Sequence, residues 1–158
     1  MRDVRALAAI ELIALAGCGS TVGAGDASQP VVVDAVVGAI AAGFHAAAYL
    51  RVEQQGGDDA LVAITTDRAT RVTLMGPNVA MTETAGASGF PVDLSAGEQV
   101  TFTPGGDHIM LEGVATDLVA GEQITLRMTF ERSDDIVVTA AVVAPADLLD
   151  RAPGAEGG

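Results

Sequence analysis

Lysine and tryptophan are missing from this chain, aromatic residues make up only 3% of it, and a single cysteine stands at position 18. Each absence removes a class of chemistry. Without lysine there is no Walker-type phosphate loop and no Schiff-base nucleophile. With so few rings there is no platform on which bases or sugars could stack. Eight arginines supply all the basic charge against 21 acidic side chains, and the formal net charge of -13 repels nucleic acid and anionic membrane surfaces. A lone cysteine closes no intramolecular disulfide. No Gly-x-Ser-x-Gly elbow, Cys–His dyad or H-E-x-x-H helix occurs, so the sequence reads as that of a non-enzyme. At 158 residues the chain is long enough for one domain with a real core, plus tails.

What is present begins at the N-terminus. Arg2 and Arg5 precede an apolar stretch from Ala6 to Ala16 that leads into Leu15-Ala16-Gly17-Cys18, the order of a basic n-region, a short h-region and a small-residue cleavage site. The run is too short to span a bilayer as a helix. Leu-Ala-Gly-Cys resembles the lipobox of bacterial lipoproteins, which implies cleavage before Cys18, diacylation of its sulfur and acylation of the new amino end. Two or three acyl chains hold a protein stably on a membrane. The expectation is a signal peptide over 1–17, lipidation at Cys18, and an extracytoplasmic protein anchored to a bacterial membrane. Glu11 puts a charge inside the h-region, and the competing reading is an N-terminal helix of a cytosolic protein. Removing 1–17 takes away Arg2 and Arg5 together with Asp3 and Glu11, so the charge stays at -13 and belongs to the domain.

Residues 18–30 read as the acylated cysteine and a flexible tether of small and polar residues. From there to 143 the apolar runs are short, rich in Val, Ile and Thr, and separated by Gly, Pro and Asp, the pattern of an all-β protein. Strands are expected near 31–37, 46–54, 60–65, 71–75, 79–84, 98–103, 108–112, 122–131 and 136–143. The clearest is Glu122–Glu131, where Ile124, Leu126, Met128 and Phe130 alternate with polar residues, one face for a core and one for water. Asp93–Phe102 and Asp117–Leu126 are near copies 24 residues apart, the same local turn used twice. The alanine-rich Ala39–Ala48 is read as a loop entering a strand at Ala46. Residues 144–158 have little apolar content and are expected to trail off as a disordered tail.

The chemistry concentrates in Gly105-Gly106-Asp107-His108-Ile109-Met110-Leu111. On a strand, residues two apart share a face, so if Ile109 and Leu111 enter a core, His108 and Met110 point out of it together. One nitrogen and one soft sulfur suit a soft metal ion, above all copper(I), and methionine serves where cysteine would be oxidised. Of the five methionines, Met1 goes with the signal and Met128 lies on the apolar face of its strand, which leaves Met75, Met81 and Met110. Met75 stands at the mouth of the turn Gly76-Pro77-Asn78, and Met81 follows across it. Three sulfurs and one imidazole would make a His-Met-Met-Met site. The alternative is that these methionines fill a core. His45, beside Phe44, reads as a surface or packing histidine. The pairs Asp58-Asp59 and Asp134-Asp135 read as turn caps and solubilising groups; calcium is disfavoured because no dense oxygen-ligand loop follows either.

Taken in order, Ala47-Ala48-Tyr49-Leu50-Arg51-Val52, Asp58-Asp59-Ala60-Leu61-Val62, Pro104–Leu111, Leu118-Val119-Ala120-Gly121-Glu122 and Leu126–Glu131 resemble the PCuAC family of periplasmic copper chaperones. The likeness runs over roughly residues 31 to 143. It implies a cupredoxin-like or Ig-like Greek-key β-sandwich or barrel of about seven to nine short strands. It also implies copper(I) held by two histidines and two methionines, and supply of copper to the CuA centre of cytochrome c oxidase. His108 and Met110 match the family's H-x-M pair. The family's other ligands, a histidine and, after ten residues, a methionine that precedes the H-x-M by twenty-one, fall here on Met75 and Gly86. Met81 as a replacement for the missing methionine rests on donor chemistry alone. The expected function is an extracytoplasmic copper(I) chaperone, a monomer held by its lipid anchor, passing copper by ligand exchange to a copper-accepting protein of cytochrome c oxidase assembly. The alternative is a lipoprotein of the same fold with a degenerate site, acting as an envelope adaptor or interaction module.

Overall fold

Inward-facing Ile124, Leu126, Met128 and Phe130 are all buried on the strand Gln123–Phe130, with Gln123, Thr125 and Arg127 outside, so the alternation read from the sequence is the alternation of the fold. The computed structural model describes residues 29–79 and 88–154. Its strands are β1 (Val31–Gly38), β2 (Ala46–Glu53), β3 (Asp59–Thr65), β4 (Ala69–Met75), β5 (Val92–Leu94), β6 (Gln99–Phe102), β7 (His108–Val114), β8 (Gln123–Phe130) and β9 (Ile136–Val143), followed by one helix, α1 (Pro145–Arg151).

The strands form one sheet in the order β4-β7-β2-β1-β9-β8-β3-β5. Strand β2 shares one of its edges between two partners, β7 along Ala46–Ala48 and β6 along Leu50–Glu53. Among the described strands only β1 and β9 run parallel; the other pairs are antiparallel. The sheet curls so that its inner faces enclose one core, in which Leu50, Leu61, Leu74, Ile109, Leu111 and Leu126 are almost wholly sealed from solvent. The all-β expectation therefore holds. The near-copy segments are one turn used twice. In Ser95-Ala96-Gly97-Glu98 and Val119-Ala120-Gly121-Glu122 the first residue's N–H donates to the glutamate carboxylate, at 2.7 and 2.8 Å. The third residue has φ of 75° and 98°, a region in which only glycine is unstrained.

Two expectations need amendment, and no strand was expected where β5 lies, since its three residues are too few for an alternation to show in the sequence. Of the strand expected near 79–84, Val79 lies in a loop and the remainder lies outside the described residues. The segment expected to trail off after Val143 instead turns into α1, with Pro145 in its first turn, Asp147 near its start and Arg151 near its end, each favourable for the helix dipole. Leu148 packs against a second cluster formed by Val36, Tyr49 and Ala152 on the outer face of β1 and β2. A Cβ on Gly154 would lie 3.1 Å from the Thr103 methyl, so the chain runs on from α1 to the turn that precedes His108. One well-placed leucine and one alanine suffice to dock a helix where mean composition reads as a tail. Leu148→Ala is expected to lower stability by about 1–2 kcal/mol, less than a fully buried leucine would cost, as read from the midpoint of a urea titration.

Candidate metal centre

The two outer strands at one edge of the sheet carry the donors. On β7, Ile109 and Leu111 are 0% exposed, and His108 and Met110 between them lie half-buried on the opposite, outer face. On β4, Val72 and Leu74 face the core while Thr73 and Met75 lie on the opposite face, Thr73 covered by its neighbours and Met75 exposed. The antiparallel register sets Met75 directly opposite His108 and Thr73 opposite Met110. On the other side of β7, Ala47 of β2 stands opposite Met110. Directly opposed residues have Cβ atoms about 4.5–5.5 Å apart and diagonal ones about 7–8 Å, so two flexible thioethers and an imidazole from Met75, His108 and Met110 start within reach of one point. Met75 is 40% exposed, which keeps that point open to an approaching molecule.

The His108 ring is oriented by its own turn. Its Nδ1 lies 3.0 Å from the Gly106 carbonyl oxygen. That oxygen can only accept, so Nδ1 carries the hydrogen and, in the neutral ring, Nε2 keeps the lone pair. A metal-ligating histidine commonly has its second ring nitrogen occupied in this way. The turn is tight: the Thr103 N–H donates to Asp107 O at 2.9 Å and the Gly106 N–H to Thr103 O at 3.1 Å.

His45 plays a different part. The Gly113 N–H donates to its Nδ1 at 3.2 Å, so the acceptor nitrogen of the neutral ring is already used, at the far end of β7 from His108. Between the two, Glu112 accepts from Arg71 Nε at 3.0 Å, from the same guanidinium's Nη2, and from Thr73 Oγ1 at 2.8 Å. The hydrogen bonds from Arg71 and then Thr73 hold the Glu112 carboxyl below the usual range. The outer face thus changes from soft donors at Met75, His108 and Met110 to the Arg71–Glu112 ion pair, with His45 beyond it. Among the described residues no group of three His, Cys, Asp or Glu side chains could hold a metal ion, so a metal here would rest on the thioethers.

Asp59, read from the sequence as a cap, is 7% exposed and accepts from four donors. They are the N–H groups of Ala60 at 2.8 Å, Arg132 at 2.8 Å and Ser133 at 3.0 Å, and the Ser133 hydroxyl at 2.5 Å. Burial pushes its carboxyl up, and the hydrogen bonds from Ser133, Ala60 and Arg132 outweigh this and leave it below its ordinary value. Its partner Asp58 accepts from the Ala96 N–H at 2.8 Å. Both fasten loops.

Cys18, Met81 and Gly86 lie outside the described residues. The residue that sequence reading passed over is Asp107. Its Oδ1 accepts the Asn78 N–H at 2.9 Å, tying the turn after Met75 to the turn before His108. Two glycine turns, one closing β4 after Met75 and one opening β7 before His108, were the available signal.

Among described residues no helix is long and apolar enough to cross a membrane. No curated protein matches the chain. Solved structures do. The apo PCuAC domain from PmoF1 is 25% identical with a TM-score of 0.63, covering 74% of this chain and 95% of that one. The copper(I) form of DR1885 from Deinococcus radiodurans is 26% identical with a TM-score of 0.59, over 79% of this chain and 85% of that one. The copper-bound PCuAC domain from PmoF2, 21% identical with a TM-score of 0.62 over 74% of this chain and 94% of its own, shares the fold. The resemblance carried by the H-x-M motif and its neighbours is thus a likeness of fold as well. A family model described as "Putative lipoprotein LpqE-like" matches residues 30–142, which is most of the chain and nearly all of the sheet, and the chain belongs to this LpqE-like lipoprotein family.

Proposed function

We propose that this protein is an extracytoplasmic copper(I) chaperone, held at a membrane by acyl chains on Cys18, that binds one copper(I) ion and hands it to a copper-accepting protein such as the CuA centre of cytochrome c oxidase. The observation that carries the reading is the pairing of Met75 with His108 across β4 and β7, with Met110 two residues along the same face. Imidazole and thioether donors suit copper(I) and are poor ligands for the hard ions that carboxylates would bind. The likeness to a copper(I)-bound structure at 26% identity supports the same reading. The protein catalyses nothing in this account and acts as a monomer. Transfer is ligand exchange, for which a site of neutral thioethers on an open face is suited.

Met81 is the fourth donor in this proposal. It is named on its donor chemistry; the last described residue before it, Val79, lies close enough to Gly89 that a Cβ there would sit 2.7 Å from its Cγ1 and 2.8 Å from the Cβ of Leu74, the residue before Met75. The test is a copper(I) titration of the wild-type protein, in strictly reducing buffer, against a chromophoric chelator. A one-to-one complex is expected, with Met81→Ala weakening it about tenfold. Wild-type protein that binds copper(I) no tighter than a weak competing chelator would overturn the proposal. That result would favour an envelope adaptor of the same fold, a reading for which Gly86 at the family's methionine position is the specific support.

A further inference from the structure

We infer that Asp107 is a positioning residue that locks the turn after Met75 onto the turn before His108, so that donors from two separate strands face one ion. The inference rests on the copper(I) reading and adds to it a determinant of affinity that is not itself a ligand.

Two strand ends meet at this residue. Asp107 belongs by its backbone to the His108 turn, where its carbonyl oxygen accepts the Thr103 N–H at 2.9 Å. Its carboxylate belongs to the other turn, where Oδ1 accepts the Asn78 N–H at 2.9 Å. Between these contacts Gly76 lies flat against it. A Cβ on Gly76 would fall 2.3 Å from Asp107 Oδ1, 2.5 Å from its Cα and 2.9 Å from its N, and the φ of 150° at Gly76 is one that side chains avoid. The glycine thus lets the Met75 turn approach closely, and the carboxylate pins it there. Met75 is the last residue of β4, where a strand would otherwise fray, and β4 lies at the edge of the sheet with β7 as its paired neighbour. Without the pin, Met75 keeps its register opposite His108 only through the ladder on one side. The hydrogen bond is to a backbone N–H, so asparagine, with an oxygen at the same reach, should serve nearly as well.

The test compares copper(I) affinity in wild type, Asp107→Ala, Asp107→Asn, Met75→Ala and the double variant Met75→Ala/Asp107→Ala. Removing a group that orients a ligand commonly costs 10–100-fold in metal affinity. Asp107→Ala should lose about tenfold of that range, Asp107→Asn less than about threefold, and Asp107→Ala should cost nothing further once Met75 is gone. Equal affinity of Asp107→Ala and wild type overturns the inference. So does an undiminished loss in the Met75→Ala background, because it would mean that Asp107 acts by some route other than Met75. A metal-free arm separates this result from the fate of the copper reading: amide exchange at Asn78 should be at least about tenfold faster in Asp107→Ala than in wild type, since a protected backbone bond opens locally. Equal exchange overturns the clamp whether or not copper binds. Faster exchange in a protein that binds no copper(I) would bring down the copper reading and with it the role in affinity, leaving the clamp as a feature of the fold. If Asp107→Ala does not fold, Asp107→Ser, one bond too short to replace the carboxylate, takes its place in both arms.

Discussion

Copper(I) affinity is expected to fall by at least about a thousandfold, roughly 4 kcal/mol, when His108 and Met110 are both replaced by alanine. The double variant removes the nitrogen donor and one sulfur while leaving Met75 and Met81, and a pair of thioethers without imidazole is a poor site even for a soft ion. The fold should survive, because both side chains are on the outer face and the strand is held by Ile109 and Leu111 beneath them, each 0% exposed. The expected result is therefore a thermal or urea transition within about 1 kcal/mol of wild type, at about 0.5 kcal/mol for each of two outer-face changes, together with near-complete loss of the one-to-one complex. Single replacements should rank with His108→Ala ahead of Met75→Ala. An unchanged affinity in the double variant would sink the assignment of this face as the metal site.

The second large effect concerns stability. Asp59→Ala is expected to cost about 3–4 kcal/mol at neutral pH, the range for stranding buried donors that served a charged acceptor. The N–H groups of Ala60, Arg132 and Ser133 and the Ser133 hydroxyl would all lose their partner at once. Those bonds fasten the start of β3 to the turn between β8 and β9, where β3 pairs with β8. The pH dependence has a definite sign. The folded carboxyl lies below its ordinary value, so the stability it contributes is complete above the unfolded pKa of about 3.9 and is lost as pH falls through the lower folded value. Urea midpoints of wild type and Asp59→Ala should therefore converge as the pH is taken below about 4. A gap that stays constant down to pH 3 would show that Asp59 acts by packing rather than as an ionised acceptor.

Much of the fold could be read from local sequence, and the reasons are specific. Strand β8 announces itself because Ile124, Leu126, Met128 and Phe130 keep a period of two over a whole strand. The repeated Ala-Gly-Glu turn is visible because a positive φ calls for glycine and a glutamate can reach back to cap its own turn. Strand β5, with three residues, is held by its register with Asp59, Ala60 and Leu61 rather than by any pattern of its own. Helix α1 escaped notice for a related reason: its docking depends on a cluster at Val36 and Tyr49 that is assembled from strands far away in sequence.

The candidate site divides along the same line. The sequence alone determined that His108 and Met110 share a face, because two residues along a strand differ by one full pleat whatever the rest of the chain does. It also determined that the face is the outer one, because Ile109 and Leu111 claim the core. That Met75 stands opposite His108, and that Asp107 binds the two turns together, came from the assembled sheet. Cross-strand register depends on every loop between residues 75 and 108 and on the packing of both strands, and no spacing within either segment encodes it.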